Sequence, residues 1–356
     1  MKKRMKRKLM SNTSYKRLTE ADICEILIKS AENKEKLLII AHRNPDGDAV
    51  GSAFALKMIY KALGARAVCA CGDKVPDYLR FLLRDQDDMV FDENEEFDRI
   101  MTVDTASVQQ MGALCFLAPK VSFAIDHHAM GEQYCDACID GTSAAAGEIV
   151  YRIYVELINR GALNADPDVY RLIYAAISAD TGSFRYSNTT SKTHSAVASI
   201  IEAINEDRNG LSCADISRLI HDSKSLSTLK ATKLCIEKMK WTEGAAITYA
   251  VISREDIKNA GLGDEDLGSC IDIPRSVAGS LLSFVLKETA TVREDGLRTY
   301  RISARSSCSV SVAEICKKFG GGGHEKAAGG EIVAENGEIA EKAVLSEFKK
   351  AIGEVK

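Results

Sequence analysis

The run Leu37-Leu38-Ile39-Ile40-Ala41-His42-Arg43-Asn44-Pro45-Asp46-Gly47-Asp48 decides the fold class. Its five leading apolar residues predict a strand buried on both faces, as in a parallel sheet. One imidazole and two carboxylates follow in a turn shaped by proline and glycine, and Gly51–Leu63 then reads as a helix closed by Gly64. Ligands of open α/β sheets bind beyond the carboxyl ends of the strands, which is where His42, Asp46 and Asp48 fall.

The alternation continues outward from this run. Thr19 reads as the N-cap of a helix through Ile23, Ile26 and Leu27. Ala67–Ala70, Asp98–Val103 and Val121–Ile125 read as strands, and Pro76–Leu83 as a helix. Asp166-Pro167 is an N-cap followed by an N1 proline, so Val169–Ala179 is expected to be helical. A helical segment over Leu211–Lys240 leads into a second region, where Ala245–Ile252, Val277–Lys287 and Thr299–Ala304 suggest a smaller α/β or α+β domain. Ser311-x-x-Glu314 has the form of a capping box for a helix ending at Gly320–Gly323. At 356 residues the chain is long enough for about two domains. The expected division is a basic, disordered tail over 1–18, a catalytic domain over 19–185, a linker over 186–215 and a substrate-binding domain over 216–356.

Composition excludes several classes. The apolar runs fall well short of the ~20 residues of a membrane-spanning helix. Formal charge is −4, but residues 1–17 hold eight basic side chains and no acid, leaving 39 basic against 51 acidic residues elsewhere. A body so acidic is poorly suited to gripping long duplex nucleic acid. The tail reads as a solvated extension or an upstream start, with Met10 as an alternative; the competing reading is an accessory nucleic-acid contact. It lacks the apolar stretch of a secretion signal, so the eleven cysteines point to a reducing cytoplasm. Cys69-x-Cys71 and Cys135-x-x-Cys138 lack the flanking pattern of a zinc ribbon. Asp85–Asp98, with eight acids and no base, reads as a solvated acidic loop.

Two further strand ends strengthen the first turn's message. Asp104 follows Ile100–Val103, Asp126-His127-His128 follows Phe123–Ile125, and Asp180 ends the 169–179 helix before a Thr-Gly turn. Carboxylates gathered that closely repel one another, and bound divalent cations relieve the repulsion. With imidazole and carboxylate donors and no thiolate, the set suits Mn²⁺, with Mg²⁺, Fe²⁺ or Co²⁺ as substitutes. The donors suffice for two ions, which would stabilise the attacking and leaving oxygens of phosphoryl displacement. A second informative stretch is Gly320-Gly321-Gly322-Gly323-His324-Glu325-Lys326-Ala327-Ala328-Gly329-Gly330. Its backbone N–H groups can approach an anion closely, Ala327-Ala328 leaves room for a ligand, and Arg305 upstream offers a planar fork for phosphate.

Together, His42-x-x-x-Asp46-x-Asp48, Asp104, Asp126-His127-His128 and Asp180 resemble the four-motif signature of the DHH phosphoesterase superfamily. Arg305-Ser306 with Gly-Gly-Gly-His-x-x-Ala-Ala-Gly resembles its DHHA1 substrate-binding domain. The match spans roughly residues 20–350, and the layout is similar to the bacterial nanoRNases. The resemblance implies an α/β fold: a parallel-sheet DHH domain covered by helices, then a smaller α/β DHHA1 domain. It further implies that His42, Asp46 and Asp104 hold one Mn²⁺, and that Asp48, Asp104, His127 and Asp180 hold a second, with Asp104 shared. His128 would face the substrate phosphate as donor or general acid, with Asp126 orienting the histidine pair. Arg305, Gly322, Gly323, His324, Ala327 and Ala328 would grip the nucleotide across an interdomain cleft.

The implied activity is a cytoplasmic Mn²⁺-dependent exonuclease-type hydrolase, taking short single-stranded RNA to mononucleotides and removing the 3′-phosphate of 3′-phosphoadenosine 5′-phosphate. Expected partners are short RNA and nucleotide phosphates, with a homodimer compatible and no membrane. The rival readings are a phosphodiesterase for linear dinucleotides of the pApA type and a catalytically silent nucleotide-binding module. Residues 271–276 follow the family pattern loosely, which leaves the choice of substrate open.

Overall fold

The computed structural model describes residues 15–83, 88–128, 131–293 and 295–353. The chain splits into two compact units, Met1–Ser223 and Lys224–Lys356.

In the first unit, strands β1 (Leu37–Ile40), β2 (Ala67–Ala70), β3 (Arg99–Val103), β4 (Val121–Asp126) and β5 (Asp136–Ile139) form a parallel sheet in the order β2-β1-β3-β4-β5. Leu37 and Ile39 join the core built by helices α1 (Glu20–Glu32), α2 (Gly47–Ala62), α3 (Ala146–Asn159), α4 (Pro167–Asp180) and α5 (Ser191–Glu206). Leu38 and Ile40 pack the other way, against Met111, Leu114 and Leu117 of the 3₁₀ run Val108–Lys120. Both faces are therefore covered, which is why β1 has no polar residue. The strand order reverses between β1 and β3, and the carboxyl ends at such a switch point form a ready crevice.

Several expectations shift. Helix α2 starts at Gly47 rather than Gly51, because Asp46 caps it by accepting from Asp48 N and Ala49 N. The 76–83 segment is a 3₁₀ turn, Asp77–Leu82. The expected linker over 186–215 instead contains α5, whose Ile200 and Ile204 lie in the core, and the short α6 (Cys213–Ser217). The helix expected over 211–240 is broken: a five-residue turn, Arg218–Asp222, ends the first unit, and Ser225 caps a new helix, α7 (Leu226–Glu237). Of the basic tail, residues 1–14 lie outside the described residues. Arg17 forms an isolated parallel bridge with Ala137 and Leu18 N donates to its carbonyl, extending the sheet beside β5. The acidic loop falls partly outside the described residues; within them Glu95 binds Lys36 and Arg66. Cys69, Cys71, Cys135 and Cys138 are all buried, and burial pushes the Cys135 and Cys138 thiols up to about 12.

The second unit is built on a mixed sheet of β6 (Met239–Trp241), β7 (Ile247–Ile252), β8 (Leu282–Val292), β9 (Arg298–Ser306), β10 (Gly322–His324) and β11 (Ala327–Ala334), in the order β10-β11-β9-β8-β7-β6. One face packs on α8 (Val312–Lys317) and α9 (Gly337–Gly353), and β7 and β8 are covered on the other by α7 and the 265–271 turn. The capping box at Ser311 does not form: its side chain makes no cap bond, and Val312 N donates to Glu325 O instead. Gly322 and Gly323 are thus strand residues of a β10–β11 hairpin, not a helix end. Among the described residues no helix is long and apolar enough to cross a membrane.

Candidate metal centre

The carboxyl ends of β1, β3 and β4 bring His42, Asp104, Asp126, His127 and His128 together. Helix α2 adds Asp46 and Asp48 from its start, and α4 adds Asp180 from its end. His42 Nε2 lies 3.3 Å from Asp104 Oδ2 and 3.7 Å from Asp46 Oδ1. His127 Nε2 lies 3.4 Å from Asp104 Oδ1, 3.4 Å from Asp180 Oδ2 and 3.9 Å from Asp48 Oδ2. Asp104 therefore stands between two donor groups, one with His42 and Asp46, the other with Asp48, His127 and Asp180. The ligand atoms of each triad (His42, Asp46, Asp104; Asp48, His127, Asp180) lie within 4.8 Å of one another.

Local structure aims these groups. His42 Nδ1 sits 2.7 Å from the Arg43 carbonyl, a contact that places the ring proton there and leaves Nε2 facing the carboxylates. Asp104 adopts φ of +53°, a left-handed conformation uncommon for a residue with a side chain and concentrated at functional sites. Asp48 is fully buried, accepting from Ser52 Oγ at 2.9 Å and from the α3 amides of Ala146 and Gly147 at 2.6 and 2.9 Å. Asn188 Nδ2 donates to Asp180 O and Ala144 O, tying α4's end to the loop before α3. Ser52 stands one helical turn from Asp48, a signal present in the sequence; the Asn188 tie and the α3 amides had none, because they join distant segments.

The electrostatics fit cations. Burial, then the carboxylates of Asp104 and Asp180, raise Asp48 well above its ordinary range. Burial, opposed in part by His127, lifts Asp180 to about 6. Burial alone would lower His42 and His127, but Asp104 and its neighbours outweigh it and lift them to about 11 and about 10. In the bare chain, protons thus occupy the positions where positive charge is needed. Asp104 Oδ1 is buried and accepts no hydrogen bond among the described residues, although His127 Nε2 is near. An imidazole nitrogen and a carboxylate oxygen that face one another without bonding fit a shared cation between them.

His128 shares a third such cluster with Asp104 and His127, its Nδ1 lying 3.7 Å from Asp104 Oδ1. Its Nδ1 lies 2.8 Å from Asp126 Oδ1, which raises its basicity, and the ring is partly exposed.

In the second unit, cross-strand register sets His324 opposite Ala327 and Ala327 opposite Arg305, one row across β10, β11 and β9. The small Ala327 leaves a gap between the two longer side chains. Ala328 is not in this row; it pairs with Ala304 and packs into the core with Ile302. Gly323 pairs with Ala328 and Gly322 with Gly329.

Residues 36–177 match the DHH family, N-terminal domain, and residues 244–354 match the DHHA1 domain. The chain carries a DHH domain followed by a DHHA1 domain. Among relatives of this DHH chain, a protein of Streptococcus mutans named probable bifunctional oligoribonuclease and PAP phosphatase NrnA is 28% identical, over 86% of this chain and 93% of its own. A Thermus thermophilus protein named bifunctional oligoribonuclease and PAP phosphatase NrnA is 26% identical, over 89% and 90%. The crystal structure of an exopolyphosphatase-related protein from Bacteroides fragilis shares the fold, with a TM-score of 0.76 at 20% identity, covering 93% of this chain and 95% of that one.

Proposed function

We propose that the chain is a divalent-metal-dependent phosphoesterase that hydrolyses short oligoribonucleotides to mononucleotides and removes the 3′-phosphate of 3′-phosphoadenosine 5′-phosphate. The single observation that carries this reading is the buried, unbonded Asp104 Oδ1 between two His/Asp triads. The names of the relatives support the substrate class.

In this reading His42, Asp46 and Asp104 hold one ion, and Asp48, Asp104, His127 and Asp180 a second. Manganese is the preferred metal for this donor set, with magnesium or cobalt as substitutes. When bound, the pair draws charge from the phosphoryl oxygens and acidifies water at the site. The chain's own groups do the rest. Asp126 fixes the His128 ring through Nδ1, so that Nε2 is presented to the phosphate as a hydrogen-bond donor or as the acid that protonates the leaving oxygen. Arg305 and His324 offer positive and hydrogen-bonding groups to the nucleotide, with Ala327 and Gly322 leaving room for it. The intact ligand set speaks against a silent module.

The deciding experiment is release of mononucleotide from a labelled diribonucleotide in Mn²⁺ and in EDTA. Metal-dependent turnover is expected; protein that binds manganese stoichiometrically yet cleaves no short nucleotide would overturn the reading.

A further inference from the structure

Two thiols of the C-terminal unit take no part in the proposed hydrolysis. Cys235 sits in the last turn of α7 and Cys270 in the 265–271 turn, and both are buried, at 0% and 2% exposure. Cys235 Sγ lies 3.2 Å from the Cys270 carbonyl oxygen. Cys270 Sγ lies 3.8 Å from the Ala231 carbonyl oxygen, the group one turn back that accepts the Cys235 amide within the helix. Each sulfur thus reaches the backbone that carries the other, and the two unbridged thiols hydrogen-bond to one another. Ala231, Leu234, Leu267 and Ile271 pack around them in one apolar cluster, which holds the sulfurs together.

Their surroundings set them apart from the other cysteines. Burial pushes up the thiols of Cys24, Cys71, Cys135, Cys138 and Cys316. Cys270 moves the other way: the hydrogen bond from Cys235 lowers it and Lys287 adds to this, while burial and Asp272 oppose. Cys235 is raised, first by that same hydrogen bond and then by burial. In a reactive dithiol the lowered sulfur is the nucleophile, and its neighbour keeps the proton. The 265–271 turn also lines, through Leu267, an open cleft of about 300 Å³, so a small solute has only this turn to pass.

We infer that Cys235 and Cys270 form a peroxide-oxidised dithiol, a modification site whose disulfide clamps α7 to the 265–271 turn. The Cys270 thiolate attacks one oxygen of hydrogen peroxide. The O–O bond breaks, and the departing hydroxide takes the proton that Cys270 gave up. The Cys235 sulfur then attacks the sulfur of the Cys270 sulfenic acid. The S–S bond forms, the S–O bond breaks, and the hydroxide leaves as water with the Cys235 proton. Two thiols lose two electrons, and one peroxide becomes two waters. The bridge closes a loop over residues 235–270, which holds β6, β7 and the short helix Arg254–Asn259. Since α7 and the turn both cover β7 and β8, the oxidised unit resists unfolding more than the reduced one.

The test is peptide mapping of the full-length protein in EDTA, after hydrogen peroxide or after dithiothreitol, with remaining thiols alkylated before digestion. Peroxide should give a cross-linked pair of peptides bearing Cys235 and Cys270, in most chains and at any protein concentration. Dithiothreitol should abolish it. Thermal unfolding of the oxidised protein should lie about 5–15 °C above that of the reduced protein. Cys235→Ala should remove both the cross-link and the shift, and leave Cys270 as a sulfenic acid that dimedone traps. Both thiols still alkylated after peroxide, a bridge between other cysteines in their place, or an equal thermal shift in Cys235→Ala would overturn the pair. The mapping of the parent protein needs no variant, so a poorly folded substitution does not shield the proposal.

Discussion

Asp126 Oδ1 and His128 Nδ1 stand 2.8 Å apart, and the carboxylate that makes this contact is itself buried, only 3% exposed. The pair holds one imidazole by its Nδ1, on the edge of the cluster that Asp104 and His127 also share. Asp126→Asn should therefore lower kcat about 10- to 100-fold, the usual cost of losing a group that orients another. KM and the bound manganese per chain should stay near the parent values. Steady-state kinetics with elemental analysis checks this; loss of metal in the variant would mean that Asp126 supports the ligands instead.

Asp104 belongs to the His42 triad and faces His127 of the other at 3.4 Å, so Asp104→Ala should remove turnover and the response to metal together. In the parent, manganese at a hundred times its dissociation constant adds ~2.7 kcal/mol per site. For a unit of this size that is about 5–10 °C in Tm per site. Thermal scans with and without EDTA should show the rise in the parent and none in the variant.

Helices α2 and α4 approach so closely at Gly51 that a Cβ there would lie 2.6 Å from Leu172 O and 3.1 Å from Ala176 N. Asp48 and Asp180 depend on this spacing, since one is carried by each helix. Gly51→Ala should cost about 1–3 kcal/mol by overpacking and weaken manganese retention. Denaturant unfolding and a metal titration read the two effects separately.

Asp140 links the end of β5 to Arg152, at 2.8 Å, and to Thr142 and Ser143. Burial would raise its carboxyl, but these partners win and hold it down to about 2, against an ordinary 3.8. A depressed carboxylate stabilises the fold above its unfolded value, and that stability is lost as pH falls from about 4 to about 2. After discounting for its partial exposure, Asp140→Asn should cost about 1 kcal/mol at neutral pH. It should also flatten the acid limb of stability in that window, which unfolding measured across pH would reveal.

Much of this architecture was legible because its signals are local. An apolar run followed by Asp, with or without His, marks both a buried strand and the donors beyond it, and this holds for Leu37–Asp48, Ile100–Asp104 and Phe123–His128. What escaped depends on distant partners. The α3 amides that hold Asp48 lie about a hundred residues away. Ser311 carries the spacing of a capping box, yet its side chain makes no cap bond, and the helix start is tied instead through Val312 N to the distant Glu325 carbonyl. Ala327 and Ala328 are adjacent and chemically identical, so only sheet register could show that one faces the row with Arg305 and the other the core.

The β10–β11 hairpin bears on how mutational scans of such glycine runs are interpreted. A side chain at Gly321 would strike the Gly329 backbone, and one at Gly323, where φ is +140°, would strike Ala327 and Ala328. Inactivity after replacing either reports a collapsed turn whether or not a nucleotide ever touches it. Gly322 alone among the three has open space where its Cβ would be. It is the position at which a methyl group interrogates the ligand rather than the scaffold.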